Sequence, residues 1–128
     1  MDISEVETIL SHYRFLGPPE HLLLTQEPVS MKTNGDVIFL GLGLHAKSMV
    51  VLTPQATPET VPHELAHTLG FGESVARPFG RIAIKKYELM EKFPLLGSLL
   101  KREVKYELRD DLPEKFKRKA QHYVMKKG

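Results

Sequence analysis

Apolar positions recur along this chain with two different spacings, and the changes of spacing predict where helices give way to strands. Over residues 4–16, Val6, Ile9, Leu10 and Tyr13 fall on one helical face, and Ser4-Glu5-Val6-Glu7 reads as a capping box at its start. Gly17-Pro18-Pro19 ends that helix. From His21 onward the runs are short and strand-like: Leu22-Leu23-Leu24-Thr25, then residues 29–32, 36–44 and 48–53. Asn34-Gly35 between two of them predicts a type I′ hairpin. The helical spacing returns after Pro54. Val61, Leu65, Ala66 and Leu69 face inward on a helix with Thr60 as cap, Pro62 in the first turn and Gly70 as a left-handed stop. A further helix is expected over residues 74–92, carrying Ile82, Ile84, Tyr87, Leu89 and Met90. Beyond an apolar stretch at 95–100, Asp111-Leu-Pro113-Glu114 reads as the capped start of a last helix, with Phe116, Ala120, Tyr123 and Val124 on one face. Lys115, Lys117, Arg118, Lys119, Lys126 and Lys127 then form its basic face.

These elements predict one α+β domain over residues 1–128. It has an N-terminal helix, a small, twisted, mostly antiparallel sheet of three or four strands, two central helices, and a helical, basic C-terminal tail over 95–128. The absence of cysteine removes disulfides, thiolate metal ligands and thiol nucleophiles together, so any metal must be held by imidazole and carboxylate. A net charge of +2 gives no general argument for nucleic acid. No apolar run reaches the length of a bilayer span, and the acidic, amphipathic start MDISEVETIL is unlike a basic signal sequence; an intracellular, cytoplasmic protein without a membrane partner is expected.

Chemistry concentrates in His63-Glu64-Leu65-Ala66-His67. Residues four apart on a helix lie one turn apart and about 40° around the axis, so His63 and His67 can offer ring nitrogens to one ion. Glu64 projects to the same side, within reach of a water beside that ion, as a general base. After the stop at Gly70 the reversed chain delivers Glu73, an anionic oxygen that completes a three-ligand set with one position left over. From the composition of this chain, the HExxH pattern alone arises by accident roughly once in forty such sequences; adding Gly70 and Glu73 lowers that to about one in several thousand. The extended string therefore outweighs the alternative of an amphipathic helix with two incidental histidines.

HELAHTLGFGE resembles the zincin metallopeptidases. Its spacing is similar to the metzincin consensus, with Glu73 where that group places a third His or Asp. The following Glu73-Ser-Val-Ala76-Arg77-Pro-Phe79-Gly80 resembles instead the glutamate helix of the gluzincins, in particular the ExxANxFA stretch of ImmA/IrrE-type peptidases, and the small size resembles the minimal gluzincins. Two departures stand out: the spacer between His67 and Glu73 is shorter than usual for gluzincins, and Arg77 stands where Asn is common. The resemblance implies Zn²⁺ held by His63, His67 and Glu73, Glu64 as catalytic base, a zinc-dependent endopeptidase acting on peptides or unfolded proteins, and the order helix, sheet, HExxH helix, glutamate helix. A competing reading is a zinc-stabilised interaction module that binds a regulator or nucleic acid through the basic last helix.

Other candidates are weighed against plainer roles. Arg77, one turn from Glu73, is placed to orient that carboxylate. Tyr87 is the aromatic candidate for an oxyanion contact, against a structural tyrosine. Met90 reads as core rather than as a methionine turn. His12, His21 and His122 read as solvated surface groups, and His45 as a turn histidine. Leu40-Gly41-Leu42-Gly43-Leu44 lacks the third Gly and the Lys of a phosphate loop. As a strand it places leucines on one face and bare backbone on the other, suited to close packing against a helix or to the approach of an extended peptide.

Overall fold

The computed structural model describes residues 1–13, 16–33, 35–93 and 103–126, and of residues 29–39 the backbone. Four helices and a five-stranded mixed sheet make an α+β fold among these residues. The elements run α1 (Ile3–Ser11), β1 (His21–Thr25), β2 (Val29–Thr33), β3 (Gly35–Phe39), β4 (Gly41–Leu44), β5 (Met49–Leu52), α2 (Thr60–Thr68), α3 (Glu73–Lys92), β6 (Tyr106–Arg109), α4 (Glu114–Lys117) and β7 (Ala120–Met125).

The main sheet has the order β4-β5-β1-β7-β6, and β2 and β3 pair apart as a hairpin. This corrects the expected three or four strands to five; the pairing is mostly antiparallel as expected, except that β1 and β5 are parallel, in register from His21↔Met49 to Leu24↔Leu52. Parallel neighbours need a long crossover, and here residues 26–48 supply it, carrying the hairpin and the edge strand β4. The expected strand 36–44 is accordingly split into β3 and β4. Asn34, which carries the hairpin reading, lies outside the described residues, as does the apolar stretch 95–100.

A larger correction concerns the C-terminal tail. A helix does start at Glu114, but with Pro113 at the cap position and no side-chain cap hydrogen bond it makes a single turn, α4, and the chain then enters the sheet as β7 between β1 and β6. Phe116, Ala120, Tyr123 and Val124 have the spacing of a helix face, yet Tyr123 and Met125 also alternate, and in β7 both pack against the core. Antiparallel pairing with β1 over five residues, from His21↔Val124 to Thr25↔Ala120, satisfies the backbone that a lone helix would otherwise have to satisfy itself. Among the described residues, which exclude Lys127, the expected basic helix face is therefore not formed, and Lys117 pairs with Asp110 and Glu114.

One face of the sheet holds the core. Leu22, Val50 and Leu52 meet Val6, Ile9, Leu10 and Tyr13 of α1, Val61 and Leu65 of α2, Ala83 of α3, and Val104 and Tyr106 from the segment entering β6. Burial of each large apolar side chain contributes about 1.5–3 kcal/mol. The first helix starts two residues earlier than expected: Asp2, not Ser4, is its cap, accepting a 2.8 Å hydrogen bond from the Glu5 N–H. On its buried side two polar groups pin the β6 segment. Glu7 Oε2 accepts from the Tyr106 N–H at 2.7 Å, and the Ser11 hydroxyl accepts from the Val104 N–H at 3.0 Å.

Small residues set how closely the two central helices approach. Ala76, Gly80 and Ala83 are buried on α3, and a methyl group at Gly80 would sit 3.2 Å from the Cβ of His63. The turn between the helices is a Schellman motif: the Phe71 N–H bonds the Ala66 carbonyl at 3.1 Å, the Gly70 N–H bonds that of His67 at 3.0 Å, and Gly70 has φ +96°. The stop expected at Gly70 is where the sequence placed it.

Candidate metal centre

The reversal at Gly70 points the start of α3 back at the outward face of α2, and three potential ligands meet there. Glu73 Oε1 lies 2.6 Å from His67 Nε2 and 3.4 Å from His63 Nε2, and the imidazole rings are 5.1 Å apart. His63, His67 and Glu73 form a cluster whose ligating atoms all fall within 4.8 Å of one another. In a tetrahedral zinc site with bonds of about 2.0–2.1 Å, ligand atoms stand about 3.3 Å apart. The His63 to Glu73 distance of 3.4 Å matches that edge, and the His67 to Glu73 contact of 2.6 Å is shorter because it is a hydrogen bond.

Hydrogen bonds prepare the ligands. His67 Nδ1 donates to the Phe71 carbonyl at 2.8 Å, which leaves Nε2 as the nitrogen turned to the cluster. Arg77 Nε donates to Glu73 Oε2 at 2.9 Å, so Oε1 is the oxygen left for an ion. Arg77 thus stands where the sequence reading placed it. Slight burial opposes charge on both partners, but it is outweighed. The Phe71 carbonyl and Glu73 hold the pKa of His67 above its ordinary value, while Arg77, His67 and His63 hold that of Glu73 below its own. Two acceptors 2.6 Å apart require a proton or another cation between them.

Glu64 is set back from the ligands. Its Oε1 is 3.7 Å from His63 Nε2 and 4.0 Å from His67 Nε2, the side chain is almost wholly buried, and Oε2 has no hydrogen-bond partner. Burial raises its pKa; the two imidazoles pull it back and Glu73 adds to the rise. A buried carboxylate oxygen left without a donor beside a three-ligand cluster fits a base that takes its proton from water.

β4 closes the cleft opposite α3. A methyl group at Gly43 would collide with the Glu64 carbonyl and come within 2.8 Å of His67 Cβ, and one at Gly41 would lie 3.0 Å from Glu64 Cγ. The glycines thus serve close packing against α2. β4 is also an edge strand, paired with β5 alone among the described residues, and residues 40–43 line the cleft. The cleft, about 510 Å³, is completed by Thr57, Glu59, Thr60, His63, Glu64, His67, Glu73, Arg77 and Arg81.

The remaining candidates lie elsewhere. Tyr87 is fourteen residues beyond Glu73 on α3, about 21 Å along the axis, with its ring edge-on to His12 at 5.2 Å. His12 is buried rather than solvated, 3.5 Å from Glu91. His21 and His122 are likewise not free surface groups: their ring nitrogens are 3.0 Å apart, and His122 Nδ1 lies 2.8 Å from Asp111. His45 is an exposed turn residue whose Nδ1 donates to the Thr68 carbonyl at 2.6 Å, closing the end of α2. Met90 is a buried helical residue. Sequence reasoning missed Arg81 and Glu59. The signal for Arg81 was its position one turn beyond Arg77.

No helix among the described residues is long and apolar enough to cross a membrane. No protein-family model, curated protein or solved structure matches this chain.

Proposed function

We propose that the chain is a zinc-dependent peptidase of the zincin type, with a gluzincin-like arrangement in which His63, His67 and Glu73 hold the ion and Glu64 is the general base. The observation that carries this reading is the convergence of two imidazole nitrogens and one carboxylate oxygen beside a buried carboxylate with an unpartnered oxygen. A bound zinc ion supplies Lewis acidity, lowering the pKa of a water from about 15.7 to near 7 and polarising a carbonyl. Glu64 takes the proton from the attacking water and passes it to the leaving nitrogen, so the base ends each cycle ionised. The edge of β4 offers backbone groups to an extended peptide lying across the cleft. The interaction-module reading depended on a basic terminal helix, and residues 120–125 are strand.

Elemental analysis with a cleavage assay on an unfolded protein tests the proposal. The protein as purified should contain one zinc and cut in a chelator-sensitive way. Glu64→Gln should keep zinc and lose turnover by about 10²–10⁴-fold. Chelator-sensitive cutting that survives in Glu64→Gln removes that residue as the base; His63→Ala retaining full zinc removes the ligand set.

A further inference from the structure

The two walls of the cleft differ in chemistry. Along β4 the rim is apolar, with Leu40 and Leu42 exposed, whereas α3 contributes Arg77 and Arg81, one helical turn apart and both solvent-exposed. Arg81 follows Gly80, where a methyl group would lie 3.2 Å from the Cβ of His63, so its stem begins beside that residue. No carboxylate lies within ion-pair distance of Arg81 among the described residues, although Glu59 lines the same cleft. Arg77 bonds Glu73 through Nε, and no hydrogen bond occupies its terminal nitrogens among the described residues. The acids at the centre already have partners: Glu73 has Arg77 and the imidazoles, and Glu64 lies buried beside the same two imidazoles. What remains facing the groove is the Arg81 guanidinium, without an ion-pair partner among the described residues, and the terminal nitrogens of Arg77, whose charge Glu73 already balances.

Resting on the peptidase reading, we propose that Arg81, with the free edge of Arg77, forms an anion subsite that selects peptides bearing an acidic group close to the bond over the metal centre. A peptide extended along β4 turns alternate side chains toward opposite walls. Residues facing α3 meet planar, multi-donor cations suited to a carboxylate, while those facing away meet leucine. Arg81 is a specificity-determining residue here, since it touches substrate without taking part in the proton transfers.

The test measures binding rather than turnover. Zinc-loaded Glu64→Gln protein is titrated against short fluorescein-labelled peptides that carry Glu, Gln or Lys at successive positions, with fluorescence anisotropy as the readout. At one position Glu should bind about tenfold more tightly than Gln, with an advantage that shrinks as sodium chloride is raised. Adding Arg81→Ala should erase that difference, and Arg81→Glu should transfer the preference to Lys. Equal binding of the three peptides at every position, a Glu preference that persists in Arg81→Glu, or no binding of any peptide overturns the subsite. Whether the wild-type protein cuts the peptides that its Glu64→Gln form binds is scored separately. An acidic preference without cutting supports the subsite and counts against the peptidase.

Discussion

His67 shows how one side chain links ionisation to ligand binding. Because its folded-state pKa lies above the ordinary 6.5, the metal-free protein gains stability from it that is fully present below pH 6.5 and is lost as pH rises through the raised value. Glu73 has the opposite sign: its lowered pKa contributes stability above the ordinary 4.5, lost as pH falls through the depressed value. The pair therefore favours the metal-free fold most in the mildly acidic window between the two. Zinc must displace the proton they share. Zinc affinity, measured by competition titration, should therefore fall on acidification below the His67 pKa by up to about tenfold per pH unit for that single proton. A flat affinity from pH 8 to pH 5 would mean that His67 is not a ligand.

Between elements, the decisive contacts are made by residues with little or no side chain. Gly43 lets β4 pass against the Glu64 carbonyl, and Gly80 does the same for α3 against His63, so the motif helix is held from both sides. Gly43→Ala should destabilise the fold by about 1–3 kcal/mol in a denaturant titration and weaken zinc binding, because α2 has to shift away from β4. Unchanged stability would mean that the approach is looser than the packing indicates. A second contact is polar. Glu7→Ala leaves the buried Tyr106 N–H without its acceptor and should cost about 1–3 kcal/mol, again read from denaturant unfolding. Ser4→Ala should cost far less, since Asp2 is the cap.

Across the domain, the C-terminal segment is not an appendage. β7 lies inside the sheet with a partner on each side, and Tyr123 and Met125 pack on the core. Removing residues 120–128 should abolish cooperative thermal unfolding followed by circular dichroism. If the truncated chain instead folds and cuts peptides faster, the segment is a regulatory tail and the sheet order is wrong. The same topology explains the shape of the cleft, since β4 is left at the far edge from β6, free to receive a strand, while α1 and the β6 segment secure the opposite side.

The cluster of His63, His67 and Glu73 was legible in sequence because its members are local. His63, Glu64 and His67 are related by helical geometry alone, and Gly70 turns the chain so that Glu73 follows within reach of them. Arg77 follows from the next helical turn. β6 went unread although Val104, Tyr106 and Leu108 alternate, because a short alternating run among charges is weak evidence without a partner strand. Residues 114–125 carry a spacing compatible with helix or strand, and only β1, about a hundred residues earlier, decides between them by pairing backbone to backbone. Arg81 and Glu59 joined the site for a similar reason: helical spacing puts Arg81 one turn beyond Arg77, but only the packing of α3 on α2 brings Arg81 and Glu59 into one cleft. Short-range geometry determined the chemistry of the centre, and long-range strand pairing and helix packing decided the scaffold and the walls around it, because those energies depend on partners far away in sequence.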